Sequence, residues 1–269
     1  MRRAYLAAAV VCFGACAACG ADGLIVESKT RNTMKLFGPP VHQESVQKAY
    51  YTADKIRTEN EGEEGYTILD FSDGKEIMYE VSPKTRTYLK TDLVEMRKQA
   101  EEMRKQLEER MKQMREQGSQ GGNPFAGLLG GAAQQRPTGP ITVKKTNTTS
   151  KIAGYTAKLV VFEQGGREVL RVWLTDKVKS PVDIHTKQLA SGMGRPGADL
   201  IEKRKELGGF ELGSRMDMGN VKVETTVTKV QKKSLPASFF KVPAGYKEAE
   251  RRAPVPGGGM GGMGGMGGH

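Results

Sequence analysis

Apolar and polar residues alternate in short runs along most of this chain, and turn residues separate the runs at roughly ten-residue spacing. Leu24-Ile25-Val26-Glu27-Ser28-Lys29-Thr30 opens as a strand, and Val46 to Ile56 is a polar-rich run carrying Tyr50, Tyr51 and Ile56. Tyr66 to Phe71 and Glu76 to Val81 flank Ser72-Asp73-Gly74-Lys75, where Asp-Gly supplies the positive φ of a tight turn. Ser82-Pro83-Lys84-Thr85 turns the chain again into Arg86 to Lys90. Further on, Ile141 to Thr146, Ile152 to Phe162, Glu168 to Thr175 and Phe210 to Met216 read as strands, with Gln164-Gly165-Gly166-Arg167 as a hairpin turn. Val221, Val223, Thr225 and Val227 alternate with Lys222, Glu224, Thr226 and Thr228, the pattern of a sheet with one buried and one wet face. The strands predict an antiparallel meander.

Between Asp92 and Gln117 the period changes. This stretch has no Gly or Pro, and Leu93, Met96, Ala100, Met103, Leu107, Met111 and Met114 recur in steps of three and four. That is one stripe of an α-helix. Thr91 or Asp92 suits its N-cap and Gly118 its end. Its other faces hold seven acidic and seven basic residues, with Glu101–Lys105 and Glu108–Lys112 at i,i+4. A meander alone would leave one apolar face wet, so the helix is expected to lie on the sheet and cover it. A partner-binding or coiled-coil helix is the alternative. Shorter helices are expected at Val182 to Ser191 and Asp199 to Leu207.

Apolar residues make up 37% of the 269 residues, below the usual level of about 45–50%. The shortfall lies in the charged helix, in a Gly/Gln-rich low-complexity insert at 118–140, and in a Gly/Met tail at 248–269. What remains, 22–247, reads as a single domain. The first 21 residues have the build of a bacterial export signal: Met1-Arg2-Arg3, an apolar run from Ala4 to Ala15, then small residues to Ala21. Cleavage near Ala21 removes Cys12, Cys16 and Cys19, the chain's three cysteines, and leaves a fold built without disulfides. Lipidation at Cys19, after Ala17-Ala18, or at Cys16, after Phe13-Gly14-Ala15, is the alternative.

The net charge is +11, and removal of Arg2 and Arg3 leaves 40 basic against 31 acidic residues, or +9. Lys222 to Arg252 holds eight basic residues against three acidic. Such an excess suits an anionic surface or a solvated strand face. Export argues against nucleic acid as the partner.

No set of residues carries catalysis, a cofactor or a metal. His42, His185 and His269 have no companion ligands at metal spacing. Cys16-Ala-Ala-Cys19 lies within the signal, and Gly192-Met-Gly194-Arg-Pro-Gly197 follows no strand and contains Pro196, which makes it a loop and not a nucleotide cradle. Ser45-Val-Gln-Lys48 falls in a predicted strand. Asn147-Thr148-Thr149 is a glycosylation sequon by pattern alone. Met260, Met263 and Met266 offer soft thioethers suited to Cu(I) on a Gly-rich tail, set against a plain low-complexity end.

Four segments occur in an order that resembles family 4412 of the bacterial domains of unknown function. They are Met78-Tyr79 followed by Lys84-Thr85-Arg86-Thr87-Tyr88, then Lys151-Ile152-Ala153-Gly154-Tyr155, Trp173-Leu174-Thr175, and Ser234-Leu235-Pro236-Ala237-Ser238-Phe239-Phe240-Lys241-Val242-Pro243-Ala244-Gly245-Tyr246. Such proteins are similar to lipoprotein carriers of the LolA/LolB type. The resemblance implies an α+β fold: a curved antiparallel sheet, an unclosed half-barrel, with one long amphipathic helix and short helices on its concave face. The carriers' ligand-holding arginine has no matching position in this chain, and the insert at 118–140 is a further departure.

The expected protein is therefore exported and non-enzymatic, resident in the periplasm or cell envelope, and binds a lipid or another apolar ligand. The alternative is a structural or interaction module that docks on an envelope protein or membrane surface through its helix or its basic C-terminal region. Metal handling by the tail is a third, weaker reading.

Overall fold

A computed structural model describes residues 21–35, 39–116, 139–179, 195–217 and 219–250. Residues 1–20 of the export signal, residues 118–138 of the low-complexity insert, the helix expected at Val182 to Ser191, and the tail from 251 onward lie outside the described residues, as do His185 and His269.

Twelve strands of the described residues form one sheet: β1 (Ala21–Met34), β2 (Val41–Tyr51), β3 (Lys55–Asn60), β4 (Tyr66–Asp70), β5 (Ile77–Ser82), β6 (Thr87–Asp92), β7 (Ile141–Ile152), β8 (Tyr155–Gln164), β9 (Arg167–Thr175), β10 (Phe210–Asp217), β11 (Val221–Leu235) and β12 (Lys247–Glu248). Their spatial order is β12-β6-β5-β4-β3-β2-β1-β11-β10-β9-β8-β7. Each half is a meander of neighbouring hairpins. The halves join where β1 pairs with β11, from Ala21 opposite Leu235 to Met34 opposite Val221, with a register shift at Glu27/Ser28. All pairs are antiparallel except β12 with β6, where Lys247 meets Thr87 and Glu248 meets Tyr88. The sheet is open, with β12 and β7 as its edges.

The sheet curls. Ile152 on β7 lies three strands from β10 in the sheet order, yet a Cβ at Gly213 on β10 would stand 3.6 Å from both Ile152 Cδ1 and the Trp173 ring. Alternation assigns the faces of the first half. Leu24, Val26, Ala49, Tyr51, Ile56 and Leu69 share one face and pack with Ala157, Val178, Phe210, Leu212 and Val227 from the second half. Ile56, Ala157 and Leu212 have no measurable exposure. Burying a side chain of the Leu or Ile class in this way contributes roughly 1.5–3 kcal/mol. Burial, then the Glu211 charge, pushes the Tyr51 phenol far above its ordinary range.

The opposite face of the first half carries Ile25, Tyr50, Arg57, Ile68, Tyr79 and Val81. It is covered by Leu235 at the end of β11 and by the chain that follows: the 3₁₀ turn Ala237–Phe240, Val242 and Tyr246. Among the described residues there are two α-helices, α1 (Leu93–Glu116) and α2 (Arg195–Leu207). Leu200 and Leu207 of α2 pack on Val160, Phe162, Leu170 and Val172.

Three expectations change. Val46 to Ile56 is not one strand: Thr52, Ala53 and Asp54 turn β2 into β3, and Thr52 Oγ1 accepts the Lys55 N–H at 3.1 Å while Thr52 N–H donates to the Lys55 carbonyl at 2.9 Å. Ile152 to Phe162 is likewise split, because Ala153 and Gly154 take φ of 48° and 84° and close a hairpin between β7 and β8. The third change concerns the long helix. Its bounds match the expectation to within a residue, but it does not cover the sheet. Only its first turn is packed, with Leu93 buried and Met96 half-buried against the core; from Lys98 to Gln113 every described side chain is exposed. The face it was expected to shield is filled instead by side chains of β8 and β10 as the sheet curls. A stripe one residue wide, flanked by charge, offers less apolar surface than that closure provides.

Candidate functional site

The root of α1 is fixed by local chemistry. Strand β6 ends at Asp92, whose Oδ1 accepts the N–H groups of Val94 at 2.9 Å and Glu95 at 3.1 Å, capping the helix. Leu93 N–H donates to the Glu76 carbonyl at 2.9 Å, and Arg97 Nη2 donates to Glu76 Oε2 at 2.6 Å. Leu93 is 2% exposed and locks this corner into the main core. The helix N-terminus is therefore held by a buried side chain, a cap and an ion pair.

Beyond Arg97 the helix stands free of the described body. Met103 is 71% exposed, Leu107 58% and Met111 41%. Among the described residues, Val41 is the one large hydrophobic side chain this exposed that lies outside α1. Intrahelical pairs such as Lys105 Nζ to Glu101 Oε1, at 3.5 Å, support the free part. Exposed Leu and Met at successive turns form an apolar stripe that packs on none of the described core, which is the feature that marks a surface for association.

The other segment singled out in the sequence, Ser234 to Tyr246, has a different role. Arg57 of β3 lies between two rings, its guanidinium carbon 3.7 Å from the Tyr66 centroid and 4.1 Å from that of Phe239. Its Nη1 donates to the Phe239 carbonyl at 3.1 Å and its Nε to Glu59 Oε1 at 2.9 Å. Tyr50 meets Phe239 edge-on at 4.7 Å. Burial, opposed by the Arg57 charge, pushes the Tyr66 phenol up; burial and the Glu59 carboxylate raise that of Tyr50. Lys247 N–H and Ala249 N–H donate to the carbonyls of Arg86 and Tyr88. The segment is a strap over the second face, and its aromatic residues are consumed by packing.

Nearby, Thr58, Asn60, Glu63, Tyr66, Glu80 and Ser82 surround a shallow, solvent-open depression of about 230 Å³ whose walls are mainly polar. It is not shaped to enclose an acyl chain.

The remaining sequence candidates stay apart. His42 is exposed at the start of β2, with Nδ1 3.0 Å from Thr33 Oγ1. Ser45 and Lys48, three apart on a strand, point to opposite faces, and Lys48 Nζ lies 3.5 Å from Glu27. Asn147 is exposed on β7. Of the basic run, Lys222 pairs with Asp217 at 3.1 Å and Lys229 approaches Glu27 at 4.0 Å, while Lys232 and Lys233, adjacent in β11, point opposite ways. Among the described residues no three His, Cys, Asp or Glu side chains gather as a metal-binding group, and no helix is long and apolar enough to cross a membrane. The sequence reading missed Arg57. Part of its signal was there, an Arg in a β-strand flanked by tyrosine-bearing strands, but register sets Tyr50 and Ile68 opposite it with Tyr66 on the diagonal, and the second ring comes from 182 residues away.

These features define a single open sheet bearing one helix that is rooted in the core and otherwise unburied. Residues 131–246 match the family described as a domain of unknown function (DUF4412), so the resemblance read from the sequence is shown over that stretch. No curated protein matches the chain. Among solved structures, it is similar to an uncharacterized conserved protein from Thermus thermophilus, with 8% identity over 84% of this chain and 90% of that one, at a TM-score of 0.39. A putative outer membrane lipoprotein-sorting protein domain from Vibrio parahaemolyticus is 6% identical over 82% and 89%, at 0.32. A LolA superfamily protein from Nitrosomonas europaea is 8% identical over 82% and 90%, at 0.31. At these scores nothing about ligand or partner passes from those proteins to this one.

Proposed function

We propose that this chain is an exported, non-enzymatic cell-envelope protein that works as an interaction module, docking through α1. The observation that carries this reading is the exposure of Met103, Leu107 and Met111 on a helix anchored to the described body by its first turn. Export rests on the charged, apolar and small-residue blocks of the first 21 residues. Carriage of a lipid or another apolar ligand has less support, since the face that would hold it is packed with Ile56, Ala157, Leu212 and their neighbours.

The test is made in the native envelope. Met103→Glu with Leu107→Glu leaves the folded body intact, because both side chains are exposed. The wild-type protein is expected to run in detergent-free envelope extracts as part of a larger complex, and the double variant to run free. Equal migration of the two proteins would remove the docking reading. Native mass spectrometry of protein purified from its source addresses carriage in parallel: a bound lipid would restore that reading, and a clean protein mass is expected. The mass of the mature N-terminal peptide checks export and distinguishes cleavage near Ala21 from a lipidated Cys19 or Cys16.

A further inference from the structure

We infer that the partner of α1 is a second copy of this chain, the two helices pairing along the stripe formed by Ala100, Met103, Leu107 and Met111. This rests on the docking reading above and names its occupant.

The first observation is a repeat. Met96 to Glu102 reads MRKQAEE, and Met103 to Glu109 reads MRKQLEE, a seven-residue block repeated with one change. A seven-residue period holds one narrow seam on one side of a helix, which is the pattern of a helix that packs against another helix. From Met96 the apolar positions advance by four, three, four and four residues to Met111. The next member of the seven-residue series after Met103 is Arg110, and Met111 beside it carries the apolar stripe on with a small sideways shift. The repeat starts at the last turn that touches the sheet and continues where contact with the sheet ends. Nothing in the packing of the described residues requires it there.

The second observation is charge. Gln99, Gln106 and Gln113 recur every seven residues beside the seam, and all three are exposed. Two copies that meet there bring amides together, which can hydrogen-bond, and Arg110, seven residues after Met103, is the one charge nearer the seam on that side. Glu101, Lys105, Glu108 and Lys112 lie further round the helix, away from the seam. Over its whole length α1 holds six acidic and seven basic residues, a net charge of +1, so charge opposes the approach of two copies only weakly. The same count disfavours a membrane surface as occupant. An interfacial helix needs a broad apolar face and gains from a cationic excess over anionic lipid, and α1 offers neither. An identical seam is complementary to itself about a twofold axis, the commonest arrangement of identical chains.

The third observation is preorganisation. The Asp92 cap, buried Leu93 and the Arg97–Glu76 pair fix the root of the rod, and Glu101–Lys105 supports its free part. Pairing then orders few new groups, which lowers its cost.

The test is sedimentation equilibrium of the purified full chain over a concentration series. The mass is expected to rise from one chain to two. Leu107→Glu should weaken the dimer by at least about tenfold, while Lys98→Ala, on the outer side of the rod, should leave it unchanged. Met103→Leu with Met111→Leu should tighten it severalfold, since Leu packs a seam in better-defined rotamers than Met. Circular dichroism and thermal unfolding of the body should be the same in all variants, as the substituted side chains are exposed. A monomer at every concentration, or a dimer that Leu107→Glu leaves intact, overturns the proposal. So does a monomer that binds vesicles of phosphatidylethanolamine and phosphatidylglycerol through α1. A monomer that still enters an α1-dependent complex in envelope extracts overturns self-pairing and leaves the docking reading standing; a monomer with no such complex removes both.

Discussion

Arg57 and Phe239 are joined twice across 182 residues of sequence: the guanidinium lies against the ring at 4.1 Å and donates a 3.1 Å hydrogen bond to the same residue's carbonyl. With Tyr66 on its other side at 3.7 Å, the arginine is the pin that holds the C-terminal strap on the first half of the sheet. Arg57→Met keeps the length but removes the charge, both ring contacts of cationic character and the bond to the Phe239 carbonyl. A loss of about 2–4 kcal/mol in stability is expected by chemical denaturation. Arg57→Lys should recover little of it, because an ammonium cannot stack between two rings as a planar fork does. Equal stability of Arg57→Lys and wild type would show that the stack contributes nothing.

Two leucines on one helix should behave differently. Leu93→Ala empties a packed corner and should cost about 2–4 kcal/mol. Leu107→Ala, measured at a concentration where the chain is monomeric, should change stability by less than about 0.5 kcal/mol. A large effect at Leu107 under those conditions would mean that α1 lies against the body.

Asp70 gives the fold a component of acid sensitivity. Partial burial raises its pKa, but the 2.7 Å bond from Lys55 and the two bonds from Ser72 outweigh burial and hold the carboxyl below its ordinary value. A depressed folded pKa means stability that is present above the unfolded value of about 3.9 and lost as pH falls through the folded one. Asp70→Asn should therefore destabilise the protein at neutral pH, and its difference from wild type should shrink below about pH 4. Urea melts at a series of pH values check this, and a pH-independent difference would assign the effect to shape alone.

Gly74 tests the backbone by itself. It sits at φ 72° after Asp73 at φ 55°, and a Cβ there would meet nothing within 4 Å. Gly74→Ala should cost about 1–2 kcal/mol through the left-handed conformation alone, read as a lowered melting temperature. No change would mean that the turn relaxes to another type.

Local features of the fold were legible in the sequence. The Asp73-Gly74 turn, the bounds of α1 and the strand from Val221 onward all follow from short-range chemistry: a demand for positive φ, a capping carboxylate, a two-residue period; the one buried and one wet face expected there is not seen from Val221 to Thr225, where both faces are half-buried. What was not legible depends on distance across the fold. Thr52 to Asp54 carries neither Gly nor Pro, so the turn between β2 and β3 left no ordinary mark; its hydroxyl and carboxylate supply the bonds. Whether α1 covers the sheet depends on how far the sheet curls, and curl is a sum over twelve strands that no window of sequence contains. The candidate site shares this property. Its stripe was visible, but its exposure was not, because an amphipathic helix has the same sequence whether its partner is its own sheet or another chain.

The placement of β1 has a consequence for how the chain reaches this state. β1 begins at Ala21 and sits mid-sheet, flanked on one side by its neighbour β2 and on the other by β11, which starts at Val221. A ribosome or a translocation pore releases the N-terminal end first, and for some two hundred residues β1 then waits with one edge unsatisfied. Closure of so long a loop is slow. The first half-sheet thus keeps an open edge until the last fifth of the chain emerges, and only then can the two half-sheets zip together.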